Sequence, residues 1–370
     1  MKMKRIVALM ATVAMTATLL VGCGNGGNSG SGDTAETPDG GDKKSDIMIG
    51  LSTDEGGLND KSFNQTANEG VVKAQKEFDL KYKPLEATKK EDYEPNLQAL
   101  IDEGSDLTFA IGYQLADAVG NAAKNNPDAN FCLIDSVVDE DNVLSITFKE
   151  EEGSFLMGVI AGLTTNTNKV GFIGGKDSET IVKFETGFAA GVAAVNPEAA
   201  KGLISSDGKN PGTTVKYADS FADTNKGYEL AKSLYNDGCD VIYHAAGGVG
   251  IGLFQATQEL REAGEDVWAI GVDMDQQVAL PEFADVMLSS MMKRVDDAAY
   301  DAVKSVVDGK FEGGHKVLGI AEGGVGMSAS TSKNTDAKVI EKAKEFEEKI
   351  KKGEIKVPGT REEAKDFKAD

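Results

Sequence analysis

The sequence predicts an α/β fold of two lobes, each a parallel sheet flanked by helices, with a ligand cleft between them. Three observations carry this prediction. Short apolar runs alternate with helical periods through most of the 370 residues, the pattern of parallel sheets covered by helices. The periodic region extends from about Asp46 nearly to the end, longer than one core usually serves, so two domains follow. Residues able to do chemistry fall just after apolar runs, where open α/β sheets bind ligands.

The predicted strands include Ile47–Leu51, Leu107–Ile111, Phe131–Ile134, Val170–Ile173, Thr213–Val215, Val241–Tyr243 and Val267–Val272. Helical periods cover Asn64–Phe78, Tyr93–Glu103, Gly153–Leu163, Lys183–Ala194 and Lys226–Asp237. The first lobe is expected at 46–148 with about 276–312. That assignment includes the apolar segment Val286–Met291 and the helix Val295–Val307. The second lobe is expected at 149–275 with about 313–352, including a strand at Val317–Ala321 and the helix Ala337–Ile350. Residues 353–370 are expected to form a C-terminal tail. Several crossings between the lobes would make a hinge around the cleft.

The N-terminus reads as a lipoprotein signal peptide over 1–22. Lys2, Lys4 and Arg5 precede an apolar stretch that ends in Leu20-Val21-Gly22-Cys23, too short for a spanning helix and closed by small residues. Lipidation of Cys23 would anchor the chain at the extracytoplasmic face of the cell membrane, through lipid alone. Residues 23–45, rich in Gly, Ser, Asn and Asp, are expected to be a flexible tether.

The formal net charge is −22, which argues against nucleic acid as a partner, since that needs basic patches. Cys132 and Cys239 sit at apolar strands and read as small buried residues in different lobes. With only two histidines, His244 and His315, no Cys/His spacing suggests a transition-metal site. No cofactor is expected.

Five segments stand out. Asp54 to Gln65 follows the first strand and opens a helix. Gly56 and Gly57 allow a turn, and Ser62 or Asn59 can cap the helix. Phe63 could stack on a planar ligand or serve as a hydrophobic staple. Phe221, between a strand and a helix, is placed similarly. Ala245 to Gly252 is glycine-rich, and Gly247 could bring backbone close to a ligand. It lacks the dinucleotide spacing and there is no Walker lysine, which excludes a Rossmann dehydrogenase and a P-loop NTPase. Asp273 and Asp275 end one strand, and Lys293 and Arg294 end another. A carboxylate there could accept from a vicinal diol and the lysine could donate to sugar oxygens. Solvated strand-end charge is the alternative. No nucleophile or histidine accompanies the carboxylates, so no catalytic residue is assigned.

In combination these segments resemble the basic membrane protein family of lipoproteins, among them purine nucleoside receptors. The residues that carry the resemblance are Asn59-Asp60-Lys61-Ser62-Phe63-Asn64-Gln65, Glu152 to Gly158, Val170 to Gly175, Phe184 to Phe188, Ala245 to Gly248, Ile270 to Gln276 and Ser289 to Arg294. The resemblance implies a type I periplasmic-binding-protein fold with a ligand buried between two lobes. It puts Phe63 and Phe221 on the base, Asp54 and Asn64 at its edge, Gly247 on it through backbone, and Asp273 and Lys293 on the ribose. Phe184 and Phe188 compete with Phe221 for the second ring. The expected function is a monomeric, lipid-anchored substrate-binding protein that delivers a nucleoside, a purine nucleoside above all, to an ABC permease. The alternatives are a receptor for another planar ligand such as a flavin, a surface antigen or adhesin using the same scaffold, and a nucleoside hydrolase. The loose spacing of Asp54, Asn59 and Asp60 argues against the last.

Overall fold

A computed structural model describes residues 46–368. The expected signal peptide, Cys23 and the tether lie outside the described residues. In chain order the elements are β1 (Met48–Ser52), α1 (Phe63–Phe78), β2 (Lys81–Leu85), α2 (Tyr93–Asp102), β3 (Leu107–Ile111), α3 (Ala116–Asn125), β4 (Phe131–Ile134) and β5 (Val143–Phe148). Then come α4 (Glu150–Thr164), β6 (Val170–Gly174), α5 (Glu179–Val195), α6 (Pro197–Ala200), β7 (Val215–Tyr217), α7 (Thr224–Asn236), β8 (Val241–Ala245), α8 (Val249–Glu262) and β9 (Trp268–Asp273). Last are α9 (Gln276–Ala279), β10 (Met287–Lys293), α10 (Val295–Val307), β11 (Gly314–Leu318), β12 (Val325–Met327), α11 (Ala337–Lys351) and α12 (Arg361–Lys365).

Two six-stranded sheets result, ordered β11-β5-β4-β3-β1-β2 and β12-β10-β9-β8-β6-β7. All neighbours are parallel except β12, which runs antiparallel to β10. Central strands are buried along their whole length, as Leu107–Ile111 and Val241–Ala245 are, because helices cover both faces. In the first lobe α2 and α3 pack on one face, while α1 and α10 pair on the other. The contact between α1 and α10 is built from small residues at helical spacing, Ala67, Gly70, Val71 and Ala74 against Ala298, Ala299 and Ala302. In the second lobe α4, α5 and α11 cover one face and α7 and α8 the other.

The sheet pairings correct the expected distribution of the late elements. Strand β10 pairs with β9 and β12, so Met287–Lys293 belongs to the second lobe and not the first. Strand β11 pairs with β5 in the first lobe, and it begins at Gly314, short of the Val317–Ala321 expected. The physical reason is burial. The apolar run Met287-Leu288-Ser289-Ser290-Met291 is buried throughout and needs a neighbour on each side, whereas Gly314–Leu318 is exposed and suits an edge. Helix α10 does return to the first lobe. The chain therefore crosses between lobes after β5, after β10 and after β11, three connections held side by side by Lys149 N–H to Leu318 C=O at 3.0 Å and Arg294 N–H to Gly324 C=O at 2.8 Å. Beyond Lys352 the chain is no loose tail as far as it is described. Arg361 at the start of α12 is bonded to Glu185 on α5 and to Asp177. Cys132 and Cys239 are both buried and free, one in each lobe.

Candidate functional site

The carboxyl ends of β1, β3, β4, β8, β9 and β10, with the loop after β7 and the first turns of α5, converge on a cleft between the lobes, where such folds bind ligands. Asp54, Phe63, Asn64, Phe221, Gly247, Asp273 and Lys293 all line it. So do residues the sequence reading did not single out as ligand contacts, Asp60, Tyr113, Asp135, Thr180 and Ile181, and also Phe184. Asp135 follows β4 directly, as Tyr113 nearly follows β3. The strand-end rule applied evenly would have found both.

From the first lobe, β1 delivers Asp54 and the turn into α1 delivers Asp60, Phe63 and Asn64. The expected cap on α1 is replaced. Ser62 stands at the N-cap position but makes no capping bond, and its hydroxyl donates across the cleft to the Asp273 carboxylate. Asp60 takes over, accepting from the backbone N–H groups of Ser62, Asn64 and Gln65 at 2.9–3.0 Å. From the second lobe come Phe221, in the loop after β7, and Gly247, after β8. Gly247 has φ of +56°, and a Cβ there would lie 3.0 Å from the Phe221 carbonyl oxygen. A side chain would be strained and would press on the loop that carries Phe221.

Asp135 and Asp273 end their strands with φ of +69° and +66°, a region where Asp is tolerated better than most residues. Lys293 sits between them. Its ammonium lies 2.5 Å from Asp135 and 3.0 Å from Glu150, and 5.0 Å from the centre of the Phe63 ring. Lys293 is 1% exposed and Asp273 5%, so these two are not solvated strand-end charges, whereas Arg294 is part-exposed. Burial pulls the Lys293 ammonium down, but Asp135, Glu150 and Asp273 together hold it above the ordinary lysine value. Burial pushes Asp135 up to about 6 against the pull of Lys293, and Glu150 adds to the rise. Burial also raises Asp54 and Asp273, and it raises Asp60 to about 7 despite the hydrogen bonds Asp60 accepts. The cleft is thus rich in acceptors and short of positive charge. Among the described residues no His/Cys/Asp/Glu group is arranged to hold a metal ion.

A family model described as ABC transporter substrate-binding protein PnrA-like matches residues 47–361. The chain belongs to this family. A CD4+ T-cell-stimulating antigen of Listeria innocua is 40% identical, over 96% of this chain and 99% of its own length. The ABC transporter nucleoside-binding protein BmpA of Lactococcus lactis is 38% identical, over 96% of this chain and 99% of its own. Among solved structures, an ABC transporter solute-binding protein from Aeropyrum pernix is 27% identical, covers 84% of this chain and 94% of its own, and superposes with a TM-score of 0.74. This PnrA-like chain is therefore an ABC transporter substrate-binding protein with the type I periplasmic-binding-protein fold, an extracellular solute-binding component of an importer. No helix among the described residues is long and apolar enough to cross a membrane.

Proposed function

We propose that this PnrA-like chain is a lipid-anchored receptor that captures a purine nucleoside, without altering it, and presents it to the permease of its importer. The carrying observation is the composition of the cleft. Aromatic rings from both lobes, Phe63 and Phe221, share it with buried carboxylates, one amide and one ammonium. A planar base suits the ring faces, and base stacking on an aromatic side chain is worth about 1–3 kcal/mol in single-strand nucleic-acid systems. Asp54 and Asn64 offer acceptors to the base edge. Asp273 can accept from the ribose hydroxyls, and Lys293 can donate to sugar oxygens. The nucleoside-binding relative from Lactococcus lactis supports the same ligand class. The lipid anchor rests on the basic, apolar and Leu20-Val21-Gly22-Cys23 segments.

The test is mass spectrometry of small molecules released from the purified protein, followed by calorimetry with nucleosides, 2′-deoxynucleosides and free bases. Ribonucleosides should bind most tightly. Absence of binding by any nucleoside overturns the reading, and equal binding of a free purine base removes the sugar assignments. Cys23→Ser should release the protein from the membrane fraction, and retention there would refute the anchor.

A further inference from the structure

The amide of Asn64 is held by two carboxylates at once. Its Nδ2 donates to Asp54 Oδ1 at 2.7 Å and to Asp60 Oδ2 at 3.1 Å, which uses both amide hydrogens. Its Oδ1 is buried and has no partner. Turning the amide over would set that oxygen against the Asp54 and Asp60 oxygens that now accept from it, so the orientation is fixed wherever Asp60 is ionised. Asp60 is itself immobilised by the N–H groups of Ser62, Asn64 and Gln65. Asp54 is anchored by the Gly56 N–H at 2.9 Å. Asn64 therefore has only an acceptor left for a ligand, next to the Asp54 carboxylate in the same cleft wall.

We propose that Asp60 is a specificity-determining positioning residue: by locking the Asn64 amide it makes the cleft select bases that present hydrogen-bond donors on one edge, guanosine above adenosine. This rests on the nucleoside reading above. Guanine carries adjacent donors, N1–H and the 2-amino group, and matches two acceptors. Adenine carries its 6-amino donor beside the N1 acceptor, so one wall acceptor meets a lone pair. A buried polar mismatch of this kind is what gives sites their strongest discrimination.

Asp60→Asn tests it. The introduced amide can keep its oxygen on the Ser62 and Gln65 N–H groups, and its NH₂ then replaces the acceptor that held the Asn64 backbone N–H and the Asn64 amide. Held by Asp54 alone and offered a donor by the new amide, the Asn64 side chain is no longer locked with only its acceptor toward the ligand. Calorimetric Kd values for guanosine, inosine and adenosine should give a guanosine preference of about five-fold or more in the wild type, about 1 kcal/mol. The Asp60→Asn variant should lose most of it through tighter adenosine or weaker guanosine binding. Asn64→Ala, which removes the reading atom but leaves Asp60 and its backbone bonds, should also bind the two nucleosides equally. Equal wild-type affinities overturn the proposal, as does a loss of the same factor for both nucleosides in Asp60→Asn. If that variant does not fold, an undiminished preference in Asn64→Ala overturns it. A wild-type protein that binds no nucleoside refutes the receptor reading itself, an outcome distinct from nucleoside binding without preference.

Discussion

At the scale of single residues, the cleft is organised by an imbalance of charge. One buried ammonium, Lys293, faces Asp135, Glu150 and Asp273. Lys293→Met should therefore do more than weaken ligand binding. It leaves the buried Asp135 without its counter-ion and Glu150 with Lys183 alone, and breaking a buried pair in this way typically costs about 3–5 kcal/mol, so a denaturant midpoint that falls clearly is the expected result. Asp273→Ala should behave oppositely: stability holds, since one surplus carboxylate is gone, while the preference for ribonucleosides over 2′-deoxynucleosides shrinks. The same imbalance sets a pH dependence. Asp60 and Glu151, both raised chiefly by burial to about 7, and Asp135, raised to about 6, bind protons in the folded protein that they have lost when unfolded. Their stabilising contribution is complete below the ordinary carboxyl range and is lost as pH rises through about 6–7. His244 acts the other way, because burial lowers it to about 4 and it destabilises the fold only below about pH 6.5. The ligand-free protein should accordingly melt at a higher temperature at about pH 6.5 than at about pH 8, and Asp60→Asn should flatten that difference. A melting temperature that rises toward pH 8 would contradict this account.

At the scale of elements, the second lobe depends on how closely α4 and α5 approach. A Cβ on Gly158 of α4 would lie 2.2 Å from the Phe188 carbonyl oxygen, and one on Gly191 of α5 would lie 2.0 Å from that of Phe155. These obstacles are backbone atoms in the opposing helix and cannot swing away. Gly158→Ala should push the helices apart and destabilise the protein by about 1–3 kcal/mol, despite alanine's better helix propensity. Thermal melting measures it, and an unchanged or higher Tm would show that the helices separate freely. The sequence made α4 and α5 readable as helices to within a few residues, because their apolar content repeats at helical spacing. It did not reveal that glycine-to-backbone contact joins them, since such a pairing leaves no periodic trace. Nor did the run before α1 identify Asp60 as the cap. Ser62 is the better local candidate, and only the arrival of Asp273 from the other lobe diverts its hydroxyl.

At the scale of the molecule, the lobes meet through contacts spread around the cleft. Ser62 reaches Asp273, the Lys61 carbonyl accepts from Gln276 at 2.8 Å, and Lys176 after β6 forms an ion pair with Glu55 at 2.6 Å while bonding Gln114 at 3.2 Å. The Lys176 pair is partly exposed and joins the lobes at the cleft mouth, next to Phe221. Such pairs contribute about 0.2–1 kcal/mol. Lys176→Ala should thus raise the ligand dissociation rate by up to about five-fold, with association little changed, as read by stopped-flow fluorescence. An unaltered dissociation rate would mean that the pair plays no part in holding the lobes together. Lys293 also acts at this scale. It ends β10 at one lobe crossing and pairs with Glu150 at another, so the residue that faces the ligand also braces the hinge.

The sequence by itself determined the class of fold, most strand and helix positions, and several of the strand ends that meet at the cleft. Those properties are local: a buried strand must be apolar along its length, a helix must repeat its apolar face, and a loop after a parallel strand must open onto the ligand side. Only the tertiary structure decided which sheet received Met287–Lys293 and Gly314–Leu318, since an apolar run requires two neighbours without naming them. Tertiary structure also decided that Lys293 is enclosed by carboxylates and that Asp60 orients Asn64. Ser62 meets Asp273 across 211 positions and Lys293 meets Asp135 across 158. Separations of that length put no pattern in the chain, because the energy of a buried charge depends on what folding brings beside it and not on its neighbours in sequence.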